Sequence, residues 1–442
     1  MTAVVGILNK RGAAIAADSA VTRQIYNNRK ITKKGNKMIR MSNCVPISVM
    51  VTGNGCYLKT QWDIIIRYYR QHRGEIAHPT VEACVHDFFR FIANHNLFCE
   101  EEFIWHWVSE ELNMLFINAD CNVNPTVKER DEDDKLTSPK SYLKAFLKQL
   151  RRYRTDWLKD GISEQFKDYT QDQFHAFLGD MITDYLSEKE YQEECFFYKY
   201  PKDFLDSLKN DLELTLMVRL TTRRYHEEGS AELVFTGFGS DQKYPSLVST
   251  TVFEGFDNRV NYHILPEDII CISDEKPVAI CPFAQKDVIK SLLLGMHIDY
   301  SRIVTKDMED TYSPYLNSIF HINENDKEFE NLNLKDFRKM LCDVMVDDLI
   351  QKFDSTNNRY LNKKQRKWEK NLEDYDLLAM AALAQSLIDL TGFHRILTFS
   401  PEGVGGPVDL AVITKNEGFT WLSRKSWYHH KDIGGQYGVL GV

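Results

Sequence analysis

Two hydrophobic rhythms alternate along the chain: short apolar runs bounded by turn residues, and longer stretches in which apolar positions recur every three or four residues. Residues 3–8 and 13–17 are apolar runs joined by Asn9-Lys10-Arg11-Gly12, so two paired strands open the sequence. Met38-Ile39-Arg40-Met41 and Ile47-Ser48-Val49-Met50-Val51 form a second strand pair, ending at Gly53-Asn54-Gly55 where backbone must turn or approach something closely. From about 56 to 225 the spacing becomes helical, as in Leu143, Phe146, Leu147, Leu150, Tyr153 and Trp157, interrupted by a polar loop at 127–135. Strand signals return at 231–236, 247–253 and 259–264, followed by a predicted helix over 284–298. Residues 325–372 are polar and helix-like. Leu377 to Leu390 predicts a helix apolar on nearly every side that stops at Gly392, with strands after it at 395–399, 408–414 and 418–424.

Strands at the start, middle and end, with helical excursions between them, predict one layered core of the α+β class. No repeat of fixed period is visible. The 442 residues divide into core segments 1–99, 226–300 and 376–428, helical insertions at 100–225 and 301–375, and a tail at 429–442.

Composition narrows the function classes. Hydrophobic residues make up 43% of the chain and aromatics 12%, which is globular rather than low-complexity. The net charge of −9 lacks the electrostatic footprint of nucleic-acid or anionic-membrane binding. The basic clusters from Arg23 to Arg40 and at Lys363-Lys364-Gln365-Arg366-Lys367 read as solvated loops and helix faces. Nine scattered cysteines with no CxxC pair point to reduced thiols and a cytoplasmic protein. No signal-peptide pattern opens the chain, and no stretch approaches the roughly 20 apolar residues that cross a bilayer. HExxH, GxSxG, GxxxxGK[ST] and GxGxxG are all missing, and His429-His430 reads as a solvated pair; no metal and no cofactor are expected.

The remaining chemistry sits at the start. Removal of Met1, which the small Thr2 side chain permits, leaves a hydroxyl and a free α-amine on one residue at the head of a strand. The hydroxyl needs a base, and an α-amine titrates near ~7.7–8.0, close to working pH.

Thr2-Ala3-Val4-Val5-Gly6-Ile7, the turn glycine Gly12 and Ala16-Ala17-Asp18-Ser19 resemble the opening of proteasome β-subunits and their bacterial relatives, the N-terminal-nucleophile hydrolases. The resemblance covers about 55 residues well and roughly another 100 weakly, around 231–255, 281–298 and 377–425. It implies a four-layer αββα sandwich, Thr2 as nucleophile, Asp18 anchoring a lysine, and that lysine holding the α-amine neutral. Lys37 in Lys37-Met38-Ile39-Arg40-Met41 fits the family's lysine-then-strand pattern; ungapped counting from Thr2 selects Lys34 instead. Val51-Thr52-Gly53 resembles the oxyanion site, with the Gly53 backbone N–H as donor. Thr236-Gly237-Phe238-Gly239-Ser240 resembles a glycine-serine-glycine turn near the nucleophile, with Phe238 in the serine's place and Ser240 as substitute. Val404 stands where active subunits carry a second serine, and Glu402 is the nearest carboxylate before it.

The expectation is a threonine-type peptidase or amidohydrolase that cleaves peptide or amide bonds, self-associates, and takes peptide or protein substrates, with an ATP-dependent unfoldase as a further partner. The alternatives are an inactive proteasome-like scaffold, favoured by Phe238 and Val404, and a small-amide amidase of the same group.

Overall fold

The computed structural model describes residues 3–25, 28–32, 35–95, 100–128, 139–187, 202–223, 229–294, 298–319, 332–398 and 405–425. The protein is of the α+β class. Its strands are β1 (Ala3–Asn9), β2 (Gly12–Ala17), β3 (Val21–Ile25), β4 (Asn28–Thr32), β5 (Met38–Arg40), β6 (Ile47–Gly53), β7 (Cys56–Tyr57), β8 (Thr60–Gln61), β9 (Ala231–Gly237), β10 (Ser246–Phe256), β11 (Arg259–His263), β12 (Ile269–Cys271), β13 (Val278–Ala284), β14 (Asp409–Thr414) and β15 (Gly418–Ser423). The helices are α1 (Trp62–Arg73), α2 (Val81–Ala93), α3 (Glu101–Lys128), α4 (Pro139–Trp157), α5 (Gln171–Ser187), α6 (Lys202–Thr221), α7 (Lys286–Leu294), α8 (Ile298–Ile319), α9 (Leu332–Glu373) and α10 (Leu377–Leu397). They fall into two compact units, Met1–Gly35 with Ile272–Val442, and Asn36–Cys271.

The first unit is built on a five-stranded sheet ordered β13-β1-β2-β14-β15, with antiparallel pairing along β1, β2 and β14. β1 is buried at all seven positions and β2 at all six. Such continuous apolar runs suit central strands, which pair on both edges and have no solvated face. Ala3, Val5, Ile7, Ala14 and Ala16 join Met380, Ala381, Ala384, Leu387 and Ile388 of α10 in one core. The alanines let the helix approach the sheet closely. Asn9 is buried at the hairpin turn with its capacity used: its side chain accepts from Arg11 N (2.9 Å) and donates to the carbonyls of Leu372 (3.2 Å) and Tyr375 (2.9 Å).

α10 departs from the sequence expectation. Its start is capped by Asp376, whose carboxylate accepts from Ala379 N at 2.7 Å, but Gly392 does not end it. The helix continues to Leu397, so Arg395–Thr398, expected as the start of a strand, is helical or capping backbone. A glycine inside a helix costs only about 1 kcal/mol, less than the contacts of the turn beyond it can return. With 21 residues α10 is also long and apolar enough to cross a membrane, contrary to the expectation that no stretch is, and one of its faces is buried on β1 and β2. The basic stretch from Arg23, expected as loop, contains the antiparallel pair β3–β4.

The second unit carries a sheet ordered β11-β10-β9-β6-β5, with β12 paired to β10. One face of it alternates as expected, with Ile47, Val49, Val51, Leu233, Phe235, Val248 and Val252 packing against Trp62, Ile65, Phe88, Phe89 and the helical layer of α3 to α6. α2 starts at Thr80, whose hydroxyl accepts from Ala83 N at 3.0 Å.

A buried polar cluster fastens α1 to α2. Tyr69 donates to Asp87 at 2.8 Å, Arg73 pairs with the same carboxylate, and His78 Nε2 lies 3.1 Å from the Tyr69 hydroxyl. Burial pushes the Asp87 carboxyl up, but Arg73 and Tyr69 outweigh it and hold the group below the usual carboxylate range. Burial is the main cause that pushes the His78 imidazole down, against the pull of Asp87, and the Cys84 thiol up to about 12. Because the folded carboxyl ionises below its unfolded value, its stabilisation is present above that value and lost as pH falls through the folded one. Asp87→Asn is expected to cost about 1–3 kcal/mol at neutral pH and to flatten the fall in stability below about pH 4, read by urea denaturation across pH.

Candidate active site

Each candidate can be located against this framework. Thr2, Lys34 and Glu402 lie outside the described residues, as does Val404. In the first unit, β2 ends at Ala17, opposite Val4, and delivers Asp18 beside the start of β1. Asp18 is 1% exposed, and its carboxylate is held by backbone donors: Oδ1 accepts from Ala3 N (2.9 Å), Oδ2 from Ala20 N (3.2 Å) and Gly405 N (3.2 Å). Asp18 N also donates to Ala3 O at 3.1 Å. The residue that follows position 2 is thus bound to Asp18 at both its N–H and its carbonyl. Hydrogen bonds to the charged form offset the cost of burying a carboxylate.

Ser19 is fully buried, and its hydroxyl donates to Pro407 O at 2.6 Å. It belongs to a network the sequence reading missed. Lys425 Nζ, 3% exposed in its side chain, donates to Asp409 Oδ2 (2.5 Å), Gly35 O (2.5 Å) and Ser19 Oγ (3.3 Å), while Lys425 N donates to Asp409 Oδ1 (2.8 Å). Three acceptors meet three ammonium protons, so the charge is satisfied in burial. Gly35 N donates back to Ser19 O at 3.0 Å. Lys425 therefore ties together the exit of β2, the return of the β3–β4 segment and the edge of β14. As an ammonium with all three protons donated it has no lone pair with which to accept the Ser19 proton, and Ser19 is fully buried, so the pair is not a serine–lysine nucleophile. A lysine at the end of a strand has no periodic signal that marks it as buried.

In the second unit, Lys37 is 5% exposed and its carbonyl accepts from Val51 N at 2.8 Å. The β5–β6 register, with Met38 opposite Met50, puts Lys37 at the end of β6 that leads to Gly53. Gly53 is exposed with φ of 73°, and a Cβ there would collide with Ser230 O, so the position takes only glycine. Beside it, Glu232 accepts from Thr52 Oγ1 (3.0 Å) and Ser249 Oγ (3.2 Å), a second polar group not foreseen.

Ser240 is not brought to Lys37 and Gly53. Gly237 pairs with Ile47, whereas Gly53 pairs with Ala231, so the 236–240 turn lies at the far end of β6, about 20 Å along the strand. There Phe238 is buried, Ser240 Oγ donates to Asp241 at 2.8 Å, and Ser240 N and Asp241 N bind the carbonyls of His78 and Pro79. That turn is a docking element for the start of α2.

The surface furrow along α9 lined by Ser355, Asn358, Arg359, Asn362, Lys363 and Arg366 is a solvated basic face with no carboxylate, and the Ser355 hydroxyl donates to Lys352 O at 2.9 Å. Among the described residues no group of three or more His, Cys, Asp and Glu side chains is arranged to hold a metal, and His429-His430 lies outside them. No family model matches the chain, and no curated protein matches it.

Lys425→Met is expected to destabilise by about 3–5 kcal/mol, because it leaves Asp409 buried without its cation. The double variant Lys425→Met/Asp409→Leu should recover most of that loss in chemical denaturation, while hydrogen exchange over 19–35 stays faster than in the parent protein.

Proposed function

We propose that the chain is an N-terminal-nucleophile hydrolase of the proteasome β-subunit type, with a four-layer αββα core, acting in the cytoplasm on peptide or other amide bonds. The observation that carries this reading is the buried Asp18 carboxylate bound to the backbone of Ala3, the residue next to the Thr2 nucleophile. A carboxylate fixed by three backbone donors does not need a counter-ion for its own stability, which suits it to serve a neighbouring cation.

In the proposed reaction Thr2 Oγ attacks the amide carbon while its proton passes to the Thr2 α-amine, directly or through water. The Oγ–C bond forms and the carbonyl oxygen takes the negative charge, which the resemblance assigns to the Gly53 N–H to stabilise. The C–N bond then breaks with the proton returned to the leaving amine, and water hydrolyses the acyl-enzyme by the same route. The resemblance assigns to Lys37 the role of keeping the α-amine neutral, since a nearby like charge disfavours protonation, and to Asp18 that of anchoring such a lysine. Self-association and delivery of protein substrate by an ATP-driven unfoldase belong to the same reading; a retained scaffold without activity is the competing one.

Intact mass of the protein expressed with its native start, combined with an epoxyketone probe selective for an N-terminal threonine, tests the proposal. The expected result is loss of Met1 and labelling at Thr2, abolished in Thr2→Ala and reduced at least about a hundredfold in Asp18→Asn. Retained Met1 and no labelling would leave the scaffold reading in possession.

A further inference from the structure

The outward face of α9 carries a line of cations that no carboxylate answers. Within 351–370 the lysines and arginines number seven, against Asp354 and Glu369 alone. Phe353, Asn357, Leu361, Lys364 and Trp368 are half-buried at intervals of three and four, which marks the face on which the helix packs. Lys352, Arg359, Lys363, Arg366 and Lys370 are exposed. At about 100° per residue these five fall within about 60° of one another on the other side of the helix, and Arg359, Lys363, Arg366 and Lys370 follow at rises of about 4.5–6 Å. Among the described residues none of the five forms an ion pair. Like charges four residues apart, as in Arg359 with Lys363 and Arg366 with Lys370, destabilise a helix. The line therefore costs stability and has no return within the fold.

What borders the line distinguishes its partner. On one side Ser355, Asn358 and Asn362 line the furrow with hydroxyl and amide groups, and Asp354 and Glu369 lie further round the helix. On the other side stand Lys367 and Tyr360, which is 61% exposed. No aliphatic side chain is exposed between 351 and 370, so the face lacks both the apolar anchors of a peptide groove and the apolar side of a helix that lies in a bilayer. Phosphates need neither, being held by Lys, Arg and amide donors. A duplex would set a second row of phosphates across the helix toward Asp354 and Glu369. A single strand needs one line of cations and a ring on which to stack a base.

We propose that this face of α9 binds single-stranded nucleic acid, the phosphates following Lys352 to Lys370 and a base stacking on Tyr360. The net charge of −9 belongs to the whole chain; at physiological salt a charge is screened beyond about 8 Å, so the local line governs contact. None of the residues proposed for hydrolysis lies on α9, so binding and cleavage are separable.

The test is fluorescence anisotropy of the full chain with a labelled oligothymidylate of roughly 20 nucleotides, titrated from low to physiological salt. The slope of log K against log salt should be near −3, about −0.7 for each of four phosphates. Arg359→Gln/Lys363→Gln/Arg366→Gln should bind at least about tenfold more weakly, with a slope shallower by about 2. Tyr360→Ala should lose about fivefold or more with the slope unchanged. Lys144→Gln/Lys148→Gln/Arg152→Gln, which removes the same charge from exposed positions of α4, should bind as the parent does. All three variants should keep the parent's Tm, since the changes are at the surface. A parent protein that does not bind the strand at low salt, an α9 triple variant that binds like the parent, or an α4 variant that loses as much overturns the proposal. So does equal or tighter binding to the corresponding duplex, to polyglutamate or to phosphatidylserine vesicles, which assigns the line to another polyanion.

Discussion

The pairing of β1 along both of its edges is the constraint on which the first unit depends. Seven consecutive buried residues leave the strand no solvated face and no free edge, so its register with β2 and with β13 is fixed over its whole length. That register decides which residues lie at its start: Asp18 beyond Ala17 on one side, Gln285 beyond Ala284 on the other. A slip of one residue would exchange every inward and outward side chain of β1, and the penalty for that holds Asp18 and Gln285 at fixed places beside Ala3.

Much of the framework was legible because it follows from periodicity. The opening hairpin, β6, β9 and β10 are runs of apolar residues between turn signals, and α3 to α6 repeat their apolar positions at helical spacing. Asp18, Lys37 and Gly53 stand out in the sequence because they lie within or beside those runs, which fixes their places at strand ends. Gly53 in particular has a positive φ and no room for a Cβ, which is why glycine marks it.

The rest was hidden for identifiable reasons. β13 is interrupted by Pro282 and leads straight into α7, so its apolar residues merged with those of the helix. Gly392 reads as a helix end, yet the pairing of Arg395 with Gln285 and Asp287 holds the following turn in the helix, and that contact is invisible one residue at a time. Lys425 is a charged residue after a half-exposed strand, and only its three acceptors, drawn from Ser19, Gly35 and Asp409, account for its burial. That the 236–240 turn and Gly53 sit at opposite ends of β6 was hidden because local sequence in a glycine-rich turn says nothing about which end of a sheet the turn occupies.

The order of strands in the first sheet also sets a schedule for synthesis. β1 and β2 leave the ribosome first, but their neighbours β13 and β14 follow only after residues 278 and 409, with the whole second unit made in between. For most of translation the opening hairpin exists without the strands that will flank it. The sheet is complete only once β15 and Lys425 have emerged, and Lys425 then fastens the exit of β2 to the start of β14.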